Sequence, residues 1–192
     1  MAERGTTFAL ILPDDARASL SNVVAELITE SVSLWSGVSE RLPSGDVVLV
    51  TGASSGFGKL TVSVLAERGY VVFGTSRKAA SESKEGFEMV QLDITSDQSA
   101  RKCVSAILEK CGRIDVLVNN AGEAMTGGLE ETSLEEAKAH FESTFFGAVR
   151  MVNAVLPEMR KRRNGRIINI ASLAGIFPVP SKATTRPPRR RS

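Results

Sequence analysis

The run TGASSGFG at positions 51–58 follows the apolar stretch Val47 to Val50 and opens a helix-like segment. A strand, a glycine turn and a helix start in that order aim backbone N–H groups and the positive end of a helix dipole at one spot. That spot suits the pyrophosphate of a dinucleotide. The turn residues Thr51, Gly52, Ser54, Ser55, Gly56, Phe57 and Gly58 are therefore candidate cofactor contacts. Of the three glycines, one is expected to allow the turn, one to let the backbone approach the phosphates, and one to let the helix pack closely on the sheet. Their spacing is G-x-x-x-G-x-G, which differs from the common G-x-G-x-x-G fingerprint.

Two further motifs follow in order, NNAG at 119–122 after the strand-like Ile114 to Val118, and GRIINIAS at 165–172. With the glycine turn they resemble the short-chain dehydrogenase/reductase family, whose pattern is T-G-x-x-x-G-x-G, then N-N-A-G, then a strand ending in Ser, then Y-x-x-x-K. The resemblance covers roughly residues 45–180. It implies hydride transfer between a nicotinamide cofactor and a carbonyl or secondary alcohol. Ser172 matches the serine that holds the substrate oxygen. The helical Asn that positions a water in the family is replaced by Thr144, in Thr144-Phe145-Phe146-Gly147. A threonine hydroxyl lacks the separate donor and acceptor ends of an amide. Asp93, with Ile94 beside it, matches the position that contacts the adenine, although Asp93 could equally cap the helix beginning near Ser96. Asn119 and the turn after it, with Ala121 and Gly122, match the segment that lies beside the adenine ribose and steadies the central sheet.

The second strand ends VVFGTSRKAA, with Ser76, Arg77 and Lys78 where an NAD site of this type carries a carboxylate for the ribose 2′-hydroxyl. A guanidinium there pairs with a 2′-phosphate, so NADP is expected over NAD. The alternative is that Arg77 and Lys78 are solvated loop charges.

The family's tyrosine would fall on Thr185 and its lysine on Arg189, or, in a register set by SKA at 181–183, on Pro178 and Lys182. Neither register supplies a phenol. The one tyrosine of the chain, Tyr70, starts the second strand, where a packing role is expected. Pro187 and Pro188 fall where the tyrosine's helix should be continuous. The expectation is a chain whose resemblance stops near Pro180, with a frameshift, altered splice or premature stop as its origin, and with impaired catalysis. The reading from another class is a noncatalytic dinucleotide-binding or protein-interaction module.

The elements that must position these motifs alternate from Asp46 onward between short buried strands and longer amphipathic helices, the pattern of a parallel sheet covered on both faces. Strands are expected near 46–51, 70–75, 87–92, 114–118 and 166–171, and helices over about 57–68, 97–111 and 133–162. Right-handed crossovers favour a Rossmann-type doubly wound α/β sheet of order 3-2-1-4-5, with the ligand crevice at the carboxyl ends of the strands. Strands beyond the fifth are expected to be missing, leaving the fifth as an apolar edge. Before the sheet, Leu20, Val23, Val24, Leu27, Ile28, Leu34, Trp35 and Val38 mark one helical face, so residues 1–44 read as a helical extension ahead of a 45–180 core. Residues 181–192 read as a disordered basic tail, with Lys182, Arg186, Arg189, Arg190 and Arg191 close together.

A chain of 192 residues, 42% hydrophobic and 24% charged, can bury one good core. The net charge of +2 hides the tail's five cations. Without aromatic residues those five offer only nonspecific attraction to nucleic acid. Cys103 and Cys111 match neither a redox pair nor a zinc cluster, and His140 is the only histidine, so no metal is expected. No run reaches the length of a membrane span, and a cytoplasmic location is expected. Substrates would be small carbonyl compounds or alcohols. A homo-oligomer would form through the 133–162 helix, as in relatives.

Overall fold

The structure is a computed structural model that describes residues 45–78, 86–123 and 129–171. The expected extension over 1–44, the tail over 181–192 and Ser172 lie outside the described residues.

Five parallel strands form one sheet: β1 (Val47–Val50), β2 (Val71–Ser76), β3 (Phe87–Gln91), β4 (Val116–Asn119) and β5 (Arg166–Asn169). Their order is β3-β2-β1-β4-β5, as the motif order implies. Helices α1 (Gly56–Glu67), α2 (Asp97–Cys111), α3 (Leu134–Phe141) and α4 (Gly147–Arg162) make the crossovers.

The central strands β1 and β4 are buried along their whole length, which is why Val47–Val50 and Val116–Val118 read as continuous apolar runs and not as alternation. Their side chains still alternate in space. Leu49 and Leu117 point to the face covered by α2 and α4, where Val104, Ile107, Met151 and Val155 meet them. Val48, Val50, Val116 and Val118 point to the opposite face, against Val62 and Leu65 of α1. Burying each such side chain contributes about 1.5–3 kcal/mol. β5 lies at the sheet edge, and its isoleucines Ile167 and Ile168 are only half buried.

The sheet's amino end is closed by charge. Asp115 is 5% exposed. Its carboxylate accepts from the Val47 N–H at 2.8 Å, from Arg113 Nε at 2.9 Å and from both terminal nitrogens of Arg162 at 2.8 Å. The basic last turn of α4 therefore completes a buried cluster as well as facing its own helix dipole.

One expectation needs correction. The segment 133–162 is not a continuous α-helix, because Glu142–Phe146 winds as a π-helix between α3 and α4. The hydroxyls of Ser143 and Thr144 both donate to the His140 carbonyl, at 3.1 and 2.6 Å. Hydroxyls bonded back into a helix compete for its carbonyls and bend it, and π segments tend to occur at functional sites.

Candidate active site at the carboxyl edge of the sheet

The glycine turn leaves β1 at the carboxyl edge and enters α1 directly. Gly52 and Gly56 take φ of +69° and +57°, the left-handed region that favours glycine. A Cβ on Gly52 would lie 2.8 Å from the Ala121 Cα. One on Gly56 would meet nothing within 4 Å, so this glycine faces open space. Gly58 is the close-packing glycine, and what it packs on is the turn itself. A Cβ there would lie 2.3 Å from the Gly52 carbonyl oxygen and 2.5 Å from the Asn120 amide nitrogen.

Ser55 stands at the N-cap of α1 but makes no side-chain capping bond, whereas Ser96 and Ser133 cap α2 and α3. The first turn of α1 thus lacks the side-chain acceptor that normally serves its N–H groups, and it opens on a cleft of about 530 Å³. An anion is the natural acceptor there.

The structure brings most of the expected contacts onto this cleft. Gly52, Ser54, Ser55, Gly56, Phe57 and Gly58 form its floor. Ser76, Arg77, Asp93 and Ile94 form one wall, and Ala121 and Gly122 the other. Thr51 and Asn119 do not line it. Thr51 is fully buried, and its hydroxyl accepts from the N–H groups of Asn120 and Ala121 at 3.0 and 2.9 Å. Asn119, 5% exposed, donates through its amide to Asn169 of β5 at 2.8 Å. Both residues hold the strand ends together beneath the cleft.

Asp93 does not cap α2; Ser96 does, accepting from the Ser99 N–H. The Thr95 hydroxyl and N–H both donate to Asp93, and they hold its carboxyl below the usual carboxylate range. Thr144, on the π segment, spends its hydroxyl on the His140 carbonyl, so this proton faces the helix backbone. Its neighbour Ser143 lines the cleft instead. Among the described residues the ionisable side chains lining the cleft are Arg77, Asp93 and Glu123. Tyr70 precedes β2 at the opposite edge of the sheet and packs against the α1-side core.

Three contributors escape a reading of spacing. Asn120 bolts the glycine turn, donating to the carbonyls of Thr51 and Gly52 at 2.9 and 3.2 Å. The doubled Asn was its only signal. Arg150 of α4 donates to the Ile94 carbonyl at 2.7 Å, to Glu142 at 2.6 Å and to Asp97, so it buttresses the cleft wall from behind. Its partners lie 56, 8 and 53 positions away, beyond any local pattern. Glu123 pairs with Arg77 at 3.4 Å. No group of three or more His, Cys, Asp or Glu side chains suited to a metal ion occurs among the described residues, and none of their helices is long and apolar enough to cross a membrane.

Residues 46–184 match the family model described as short chain dehydrogenase, and the chain belongs to that family. Over 134 residues it is 48% identical to the 3-ketodihydrosphingosine reductase of Bacteroides thetaiotaomicron, a match covering 70% of this chain and 49% of that protein. The crystal structure of a short-chain dehydrogenase from Streptomyces avermitilis superposes with a TM-score of 0.66 at 37% identity, covering 72% of this chain and 53% of that one. The structure of ElxO with NADP bound gives a TM-score of 0.66 at 31% identity, over 71% of this chain and 59% of that one. The chain spans about half the length of the curated relatives it matches.

Proposed function

We propose that the cleft at the carboxyl edge binds NADP(H), and that the reaction served is carbonyl reduction or its reverse, oxidation of a secondary alcohol. The observation that carries this reading is the glycine turn. Two positive-φ glycines, a Gly58 with no room for a Cβ and an uncapped helix start together make a cradle that suits a pyrophosphate. When bound, the nicotinamide supplies the hydride. Gly52, Ser54, Ser55, Gly56, Phe57 and Gly58 would hold the diphosphate, with Thr51 and Asn119 setting the strand ends beneath them. Asp93 and Ile94 would flank the adenine, and Ala121 and Gly122 the adjoining ribose. Arg77 would take the 2′-phosphate, which favours NADP over NAD. The NADP in ElxO and the keto substrate in the name of the Bacteroides relative agree with this assignment.

Ser172 is proposed to hold the substrate oxygen. The phenol that donates the proton in the family has no counterpart among these 192 residues: Tyr70 is the only tyrosine, and it lies at the wrong edge of the sheet. The 192-residue chain is therefore proposed to bind cofactor well and to turn over slowly. The test is to incubate it with NADPH and a panel of ketones, following binding by fluorescence and oxidation by absorbance. Saturable binding is expected, with turnover about 10²–10⁴ below that of a relative carrying the tyrosine, the usual worth of a positioned general acid. Turnover at a relative's rate would refute the proposed impairment.

The helix faces over 134–149 expose Leu134, Phe141, Phe145, Phe146 and Val149, with Phe145 and Phe146 edge to face at 5.2 Å. A second copy of the chain is proposed to cover this stripe, since apolar surface of this kind marks interaction sites. Replacing Phe141 and Phe145 by Ser should move the species seen by light scattering from dimer to monomer.

A further inference from the structure

Arg77 and Glu123 face each other at 3.4 Å, with side chains 79% and 71% exposed. Arg77 follows β2 and Glu123 follows β4, the two strands that flank β1. The ion pair therefore crosses the sheet above the glycine turn, and both partners line the cleft. Resting on the reading of the cleft as an NADP(H) site, we infer that Glu123 is a specificity-determining residue: it acts as the resident counterion of Arg77 and competes with the cofactor's 2′-phosphate.

The argument is one of charge. Arg77 is the cation among the described residues lining the cleft, while Asp93 and Glu123 are both acidic. A 2′-phosphate brings a charge of about −1.5 to −2. To pair with Arg77 it must displace a carboxylate already paired with that guanidinium at 3.4 Å, and then remain close to it. A cofactor without the 2′-phosphate meets neither cost. Glu123 thus narrows the preference that Arg77 creates, so the chain should accept both cofactors more evenly than Arg77 alone would dictate. Exposed ion pairs are weak in water, so the effect is a modest one.

The experiment titrates the 192-residue chain with NADPH and with NADH, reading Kd by fluorescence at low ionic strength for wild type, Glu123→Gln, Arg77→Gln and the double variant. Glu123→Gln should tighten NADPH about two- to five-fold and leave NADH within about two-fold. The gain should vanish in the Arg77→Gln background and shrink in about 0.5 M salt. Equal tightening of both cofactors, weaker NADPH binding, or a gain that persists without Arg77 would overturn the role of Glu123 while leaving the cleft reading intact. A wild-type chain that binds neither dinucleotide would overturn both. Because both side chains are exposed, neither substitution removes a packed group, and an unchanged circular dichroism melt verifies that the fold is intact.

Discussion

The two edges of the one parallel sheet handle polar groups in opposite ways. At the amino edge, Asp115 is buried and its oxygens are engaged by the Val47 N–H and two arginines, so charge there is consumed inside the protein. At the carboxyl edge the N-cap of α1 is left without a side-chain partner, Gly56 faces open space, and the ion pair above them is exposed. The comparison teaches that the amino edge carries stability and the carboxyl edge keeps its polar capacity for a ligand. Substitutions at the amino edge should then leave ligand binding alone, and those at the carboxyl edge should lower binding more than stability.

The largest expected effect is at the amino edge. Asp115→Ala strands Arg162 and the Val47 N–H, and removing one partner of a buried pair costs about 3–5 kcal/mol. The 27% exposure of the Arg162 side chain points to the lower end of that range. Chemical denaturation should register this loss, while NADPH affinity at a temperature where the variant is folded should stay within about two-fold of wild type. A large loss of affinity with little loss of stability would reverse the division between the edges.

Gly58→Ala comes next and should invert the pattern. Its Cβ meets the Gly52 carbonyl at 2.3 Å, and backbone must move to admit it. Overpacking of this kind costs about 1–3 kcal/mol, and the displaced atoms are those of the turn itself. NADPH binding by fluorescence should fall below detection. Retained affinity would show that the turn is not the cradle.

The smallest effect sharpens the account of the amino edge. Burial, and then the nearby Asp115 carboxylate, raise the pKa of Asp46 above the usual 3.8. A carboxyl whose folded pKa is raised is penalised once it ionises, so the penalty is absent below the ordinary carboxylate range and grows as pH rises through the folded pKa. Asp46→Asn should therefore raise Tm at neutral pH and leave it unchanged near pH 3. A gain that is equal at both pH values would mean that packing, not charge, is responsible.

Much of this was legible in the amino-acid order. The runs Val47 to Val50 and Val116 to Val118 are buried on both faces, so their continuity already marks central parallel strands, and the glycine turn between strand and helix locates the crevice. What stayed hidden depends on contacts across the sheet. Thr51 looks like a ligand contact because it sits inside a ligand motif, yet its hydroxyl ties the end of β1 to the Asn120–Ala121 turn, whereas the bond from Asn119 to Asn169 fits the sheet-steadying role that the family resemblance implied. The π segment at Glu142–Phe146 is invisible to helical periodicity, since it arises where two adjacent hydroxyls share one carbonyl. Arg150 reads as a surface cation on an amphipathic helix, and only the fold brings Ile94 and Asp97 to it.

The most direct test of the central claim is amide hydrogen exchange of the 192-residue chain with and without saturating NADPH. The account expects slowed exchange confined to the glycine turn with the start of α1, the end of β2 near Arg77, and the Asn120–Glu123 segment, with the Asp115 edge unchanged. Exchange that is unaltered at the turn under saturating NADPH would contradict it.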